Sequence, residues 1–574
     1  MGSYPFAARL AALSLLLFSH ATHAQLPPGA GQQGSIIERQ QQERLREQQE
    51  RARDARPPRE GMDASGLMPQ VTAPDLGTGC HEIRKIQIDG ATLLRDEERA
   101  AVRRDFADRC LGSDEVGDLM ARLTKYYIDR GYITTRVYLP KQDLGSGTLL
   151  VTVVEGTIEG YTLQQEGRDA NLSVRGAFPT GAGDILNLRD LEQGLEQLNS
   201  LQSNRASMNL EPGSAPGQSM VALSNHATMP AHLSVSYDNL GTPTTGRDNL
   251  AATASFDSVF GLNELISLTR AQTILGSDAH KSDITALQVS APWGYNTLTL
   301  DASESHYTNT LSLPSGEKIA ASGRTAIYGL MLSRTVFRDQ NSRLSLSGRL
   351  ATNDTDNYLG GLFLAVSSRR LTTLDIGLGG FTRSSSGILS GRVGYVRGLD
   401  ALGALSDMKS LPDELPHAQF GKYTLALGYQ TLVQIAEQTR LQWNSQFNAQ
   451  YAEDSLYGTQ QLLVGSPATV RGAQLNVLSG DHGYTWRNDL AWPWQAEIAE
   501  SAINGSLYAG IDIGGTDNRH ATGREGYMSS ATLGITAQTR LFNVDVFASR
   551  VIEKPGFMTL DEGTICGVRL SFAL

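Results

Sequence analysis

From about Ala231 onward, apolar and polar side chains alternate with a period of two. Tyr423, Leu425, Leu427 and Tyr429 are separated by Thr, Ala and Gly, and Phe542, Val544, Val546 and Ala548 by Asn, Asp and Phe. In the last nine residues Cys566, Val568, Leu570, Phe572 and Leu574 alternate with Gly567, Arg569, Ser571 and Ala573. This period predicts strands with unlike faces, and it suits a soluble sandwich and a membrane barrel equally. Length separates the two. Residues 231–574 divide into about 16 units of roughly 21 or 22, enough for a spanning strand of about 9 to 11 residues plus a turn. A soluble β-domain of that size normally splits into smaller ones. One strand sets Leu441, Trp443, Ser445 and Phe447 against Gln442, Asn444, Gln446 and Asn448. A column of amides cannot fill a dry core but can line water, and a closed barrel satisfies every backbone group inside lipid.

The first part of the chain has other periods. Residues 35–56 are almost entirely Gln, Glu and Arg, a composition that favours helix. Ile36, Ile37 and Leu45 make no apolar stripe, so this helix belongs in water or in a polar cavity. Ile36 to Arg56 would reach about 31 Å at 1.5 Å per residue, close to a membrane's thickness. Pro57-Pro58 stops it. The predicted plug segment is 25–60, followed by a linker at 61–79. Residues 80–155 read as strand, helix, helix, strand, strand: a strand through Ile83, Ile86 and Ile88, helices at Asp96–Asp108 and Val116–Arg130, and strands at Tyr132–Leu139 and Leu149–Val154. A degraded second copy occupies 156–229, with a strand around Gly156–Leu163 and helical segments near Asn187–Leu201, Ala206–Leu210 and Ser219–Ser224.

Composition narrows the class. The 574 residues include 49 Lys or Arg against 60 Asp or Glu, a net charge of −11, without a basic block; a nucleic-acid-binding protein is not the expectation. The 59 glycines lack a collagen period. Arg9, the apolar run Leu10–Phe18 and Thr22-His23-Ala24 read as a signal peptide over residues 1–24, too short to span a bilayer. An exported chain meets oxidising conditions, so Cys80 and Cys110 are expected to pair. The loop so closed is worth about 3 to 4 kcal/mol on the chain-entropy argument. Cys566, in the last strand, is left over as an apolar filler. No spacing suggests a metal or cofactor site, and no hydrolase or phosphate-loop motif is present, so an enzyme is not expected.

Several segments together resemble the outer-membrane transporters of two-partner secretion, a branch of the superfamily that includes the outer-membrane assembly barrel. The 80–155 module, with RGYITTRVYLPKQDL from Arg130 and GTLLVTVVEGTIEG from Gly147, resembles a polypeptide-transport-associated (POTRA) domain. SYDNLGTPTTGRDN from Ser236, FGLNE from Phe260 and APWGY from Ala291 follow in the family's order, and SGDHGYTWRNDL from Ser479 fits its later pattern. The strongest match is Val470-Arg471-Gly472, which in the family tips an extracellular loop folded into the lumen. Its partner is an aspartate in a D-x-G pattern, here Asp512-Ile513-Gly514. The chain departs from the pattern at Ala473, where an aromatic is usual, and ends in Leu574 with Phe572 as its nearest aromatic.

The resemblance implies a mainly β fold: a C-terminal 16-stranded antiparallel transmembrane barrel at 230–574, preceded by two small α/β POTRA domains (80–155 and 156–229) and an N-terminal plug helix. It implies an outer-membrane location with the POTRA domains in the periplasm. It also implies an Arg471–Asp512 pair that fixes a transport loop, and a pore for a large secreted partner whose N-terminal secretion domain the POTRA domains bind. The barrel would contact outer-membrane lipid, be inserted by the barrel assembly machinery and work as a monomer. An assembly factor of the same superfamily and a soluble exported binding protein are the alternatives. The cargo stays open among adhesin, cytolysin and contact-dependent toxin.

Overall fold

A computed structural model describes residues 30–54, 74–77, 79–168, 171–312, 316–437, 439–498 and 501–574. The signal peptide, most of the linker and the ends of the plug segment fall outside them.

Sixteen antiparallel strands from Ala231–Asp238 to Thr564–Ala573 close into a barrel, with the short Leu362–Phe363 hooked to the end of Ser342–Leu359. Strand length runs from 8 residues (Ala231–Asp238) to 21 (Lys318–Arg338). The longest therefore rise well clear of the bilayer on the side of the long loops. Leu298, Leu300, Leu330, Leu332, Ile376 and Leu378 are exposed on the outer face, as a lipid-facing band requires. Trp293, Phe337 and Phe542 are exposed at the rim with the short turns. The amides Gln442, Asn444, Gln446 and Asn448 point inward, because Asn444 pairs across the ladder with Asp489, which faces the lumen loop. The seam between first and last strands is short: Ser234–Asp238 pairs with Arg569–Ala573. Asn239 extends it with its side chain, which accepts from Val568 N–H (2.8 Å) and donates to Cys566 C=O (3.0 Å). At the other end Leu574 and Leu233 exchange backbone bonds of 2.9 and 3.2 Å.

The first periplasmic module has helices at Asp96–Phe106 and Ser113–Ile128 over the sheet Lys85–Asp89, Thr148–Val154, Arg136–Tyr138. Leu119, Leu123 and Tyr127 of the second helix are fully buried against Ile86, Leu149 and Val151, and Gly131, at φ +92°, ends it. Cys80 and Cys110 are bonded, with Cα atoms 5.3 Å apart. The bridge staples His81–Ile83 to Arg109–Leu111. The predicted strand from Tyr132 narrows to Arg136–Tyr138, because Ile133 turns away to pack in the second module's core.

The second module corrects two expectations. Ala206–Leu210 and Ser219–Ser224 are not helical but lie in strands Ala206–Pro212 and Gln218–Ala227. Ala206 and Met208, and then Val221 and Leu223, are buried at every second position, a strand's period and not a helix's. Gln218–Ala227 runs parallel to Thr157–Gly167 and antiparallel to Ala206–Pro212. Its long helix, Leu188–Asn199, lies within the predicted span, and the Asn187 side chain caps it through Arg189 N–H (2.8 Å).

Candidate functional site: the barrel lumen

Two segments occupy the lumen. The first is the helix Ala30–Asp54. Glu38, Gln40 and Gln41 are buried there, yet as polar groups they need partners. Glu38 accepts from Asn353 Nδ2 (2.7 Å) and Thr355 Oγ1 (3.1 Å) on one wall strand. Gln41 Nε2 donates to His306 C=O (3.1 Å), and Arg44 to Asn249 Oδ1 (3.0 Å). Of its few apolar residues, Ile37 is buried and Leu45 rests on Ala251, Ala271 and Ile284.

The second is the loop 453–481, which leaves the rim and folds inward as a small hairpin, Leu462–Val464 against Leu478–Gly480. Its tip carries Val470, Arg471 and Gly472. Arg471 and Asp512 are 3% and 0% exposed. The Arg471 backbone N–H (3.0 Å) and Nε (2.8 Å) donate to Asp512 Oδ2, and Nη2 to Asp512 Oδ1 (2.6 Å). Nη2 also reaches Asp489 Oδ1 at 2.6 Å. A planar guanidinium meeting one carboxylate through two nitrogens is held in direction as well as in place. Val470 is buried with Val464, Ala473, Leu478, Met528 and Met558 in a small apolar core inside the lumen.

Both site glycines have steric reasons. Gly472 has φ +89°, and a Cβ there would stand 2.9 Å from Ser549 Oγ and 3.2 Å from Arg550 N. At Gly514 a Cβ would stand 2.7 Å from Val464 Cγ1 of the hairpin. The D-x-G pattern thus couples the carboxylate that grips the loop to the gap that admits it.

Other residues at the site carry no such signature in the sequence. Arg487 Nη1 donates to the carbonyls of Pro467 (3.2 Å) and Ala468 (3.1 Å). Glu562, from the last loop, accepts from the N–H groups of Gln474, Leu475 and Asn476 and from Asn476 Nδ2 at 2.6–3.0 Å. Ser466 Oγ donates to Glu43 (2.9 Å), joining the loop to the helix. An acid in a polar loop looks like any other until a neighbouring loop is placed against it.

The short motifs also find physical roles. In FGLNE, Glu264 ties its own turn through Phe260 and Leu262 N–H, and Asn263 exchanges bonds of 2.9 and 2.7 Å with the Ser173 backbone. In APWGY, Gly294 C=O accepts from Gln193 and Gln197, Gly294 N–H donates to Gly176 C=O, and Tyr295 hydroxyl bonds Asp190. Glu196 pairs with Arg338 and Arg343. Burial alone would raise the Glu196 carboxyl, but the two guanidiniums outweigh it and hold it below the usual range. These turns are therefore the seat of the second module on the barrel.

A family model described as haemolysin secretion/activation protein ShlB/FhaC/HecB matches residues 217–537, more than half of the chain. The chain belongs to this family. Models of a ShlB-type POTRA domain and a POTRA domain match 81–156 and 157–212. The outer membrane transporter CdiB of Escherichia coli O6:K15:H31 is 32% identical over 84% of this chain and 80% of its own. The hemolysin transporter protein ShlB of Serratia marcescens is 32% identical over 84% and 85%. The solved structure of CdiB from Escherichia coli superposes with a TM-score of 0.83 at 29% identity, covering 96% of this chain and all of that one. The family's members are outer-membrane transporters of two-partner secretion. The barrel accordingly lies in the outer membrane, with its POTRA domains in the periplasm.

Proposed function

We propose that the chain secretes one large exported partner protein, which reaches the barrel unfolded. The partner's N-terminal secretion domain pairs with an open sheet edge of the POTRA modules, where Arg136–Tyr138 and Ala206–Pro212 are edge strands. Binding displaces the helix Ala30–Asp54. The partner then threads through the lumen and folds outside. Folding makes the passage one-way and replaces ATP as the driving force, so the chain acts as a conduit, not an enzyme. Val470, Arg471 and Gly472, held by Asp512 and admitted by Gly514, form a fixed loop that braces the path. The barrel works as a monomer in contact with outer-membrane lipid after insertion by the assembly machinery.

One observation carries this reading: a wet lumen holds a polar helix on scattered hydrogen bonds beside a loop fixed by a buried, forked ion pair. The test is secretion by wild type and Arg471→Ala from matched plasmids that also supply the secreted partner. The variant is expected to insert normally, judged by faster migration unboiled than boiled, and to secrete little. Equal secretion would overturn the role given to the loop.

A further inference from the structure

The lumen wall is not uniform. The helix rests on strands within 248–359, and the wall there and just beyond it carries the ion pairs Asp301–Arg349 (2.6 Å) and Asp375–Arg392 (2.7 Å). On the far side of the folded-in loop's anchorage, Arg471 holds Asp489 and Asp512. Between these two charged regions run Gly421–Ala436 and Thr439–Ala452. Together they contain no acid, and only two cations, Lys422 and Arg440, one at each end.

The inward face of this neutral strip has a regular chemistry. Gln442, Asn444, Gln446 and Asn448 recur at every second residue, about 6.8 Å apart along the strand. Gln430 lies beside Asn444. Gln446 and Asn448 are exposed, and among the described residues neither carboxamide, nor that of Gln430, has a hydrogen-bond partner. Beside the column the ladder places Gly428 opposite Gln446 and Ala426 opposite Asn448, with Ser390 next to Gly428. The residues facing the amides are thus small, and Arg392, the ladder neighbour of Ala426 on the other side, is drawn to Asp375 at the border of the strip.

We propose that this strip is the track for the polypeptide in transit, its amides hydrogen-bonding the backbone of extended, uncharged segments. An extended chain turns an N–H and a C=O toward one edge once per two residues, the same repeat as the column. Each carboxamide offers both donor and acceptor, so a sliding chain exchanges one bond for the next without stranding a polar group. The two strands themselves carry no acid and no cation except at the ends, and the flanking Arg392 and Arg487 are engaged with Asp375 and with the Pro467 and Ala468 carbonyls. The ion-paired walls lack this property, since their charges hold one another.

The proposal rests on the transport reading, and its test is kept apart from secretion. Full-length protein in detergent carries photoreactive benzoyl-phenylalanine at Ala426, or at Ser303 on the ion-paired wall as control. The probe is a short unfolded peptide of Gly, Ser, Thr and Asn. The expected result is peptide adduct at position 426, little at 303, and no loss in high salt. Gln446→Leu with Asn448→Leu should reduce the adduct about fivefold, from two weak hydrogen bonds lost. The exchange Gln446→Asn with Asn448→Gln, which keeps both amides, should preserve it. Heat-modifiable migration checks the fold of each variant. Equal adduct at both positions, or adduct unchanged by the leucines, overturns the track. Either result leaves the Arg471→Ala secretion test standing on its own.

Discussion

The helix and the loop share one lumen but are held in opposite ways. Glu38, Gln41 and Arg44 bind the wall through hydrogen bonds to neutral groups, two from Glu38 and one each from Gln41 and Arg44. Released into water, both sides of each contact would be rehydrated, so the net cost of leaving is small. The loop instead inserts Arg471 between Asp489 and Asp512 and closes an apolar core over it. Separating that pair leaves a charge without its partner in a site closed to water, which costs several kcal/mol. The difference teaches that water can replace what holds the one occupant, whereas the other is held by a buried ion pair and an apolar core.

The largest expected effect breaks the fixed side. Arg471→Ala leaves the buried Asp512 with only the more distant Arg487 (3.8 Å), at a cost of about 3 to 5 kcal/mol. Residues 465–477 should then become open to protease added to whole cells. Arg471→Lys keeps the charge but loses the fork, and should give intermediate cleavage. Cleavage as slow as in wild type for both variants would show that the apolar core alone fixes the loop.

The movable side should respond next. Thr355→Val keeps the shape of the wall but removes the donor to Glu38 Oε2. An unsatisfied buried acceptor costs about 1 to 3 kcal/mol, so the plugged state should open on the order of ten times more often. Single-channel conductance in planar bilayers measures this directly, and unchanged opening would mean that Glu38 does not hold the helix. Glu562→Ala is expected to be milder, about 0.5 to 1.5 kcal/mol, because water at the rim can replace its bonds to Gln474, Leu475 and Asn476. It should raise cleavage of the loop less than Arg471→Ala does.

The smallest effect sharpens the contrast between fixed and movable parts outside the lumen. Because Glu196 is held below the ordinary glutamate value of 4.5 by Arg338 and Arg343, its contribution to seating the second module is complete above that pH. It is lost as pH falls through the depressed value. Proteolysis of the 228–231 connection should be flat through neutral pH and rise only in acid. In Glu196→Gln the acid-dependent rise should shrink.

Much of this is legible in the sequence. A period of two over 344 residues, with amides facing Trp443 and Phe447, admits few folds besides a wet barrel. A helix of Gln, Glu and Arg without an apolar stripe can be buried only among polar groups. The second module was harder to read. Ala206–Pro212 and Gln218–Ala227 are short, and short apolar patterns fit either periodicity until the neighbouring strands select one.

By itself, the sequence determined the alternation that makes the barrel and the segment able to enter it, and its resemblance to the family singled out Arg471 and Asp512 as a pair. It could do so because periodicity, charge and motif are local properties of the chain. Only the tertiary structure decided that Gly514 clears room for Val464, that Glu562 closes over residues 474–476, and that FGLNE and APWGY seat the POTRA module. It also placed a neutral strip between two charged walls. Those facts depend on residues far apart in the chain meeting across a closed ring, where position is set by strand register and loop packing, not by any pattern a single segment carries.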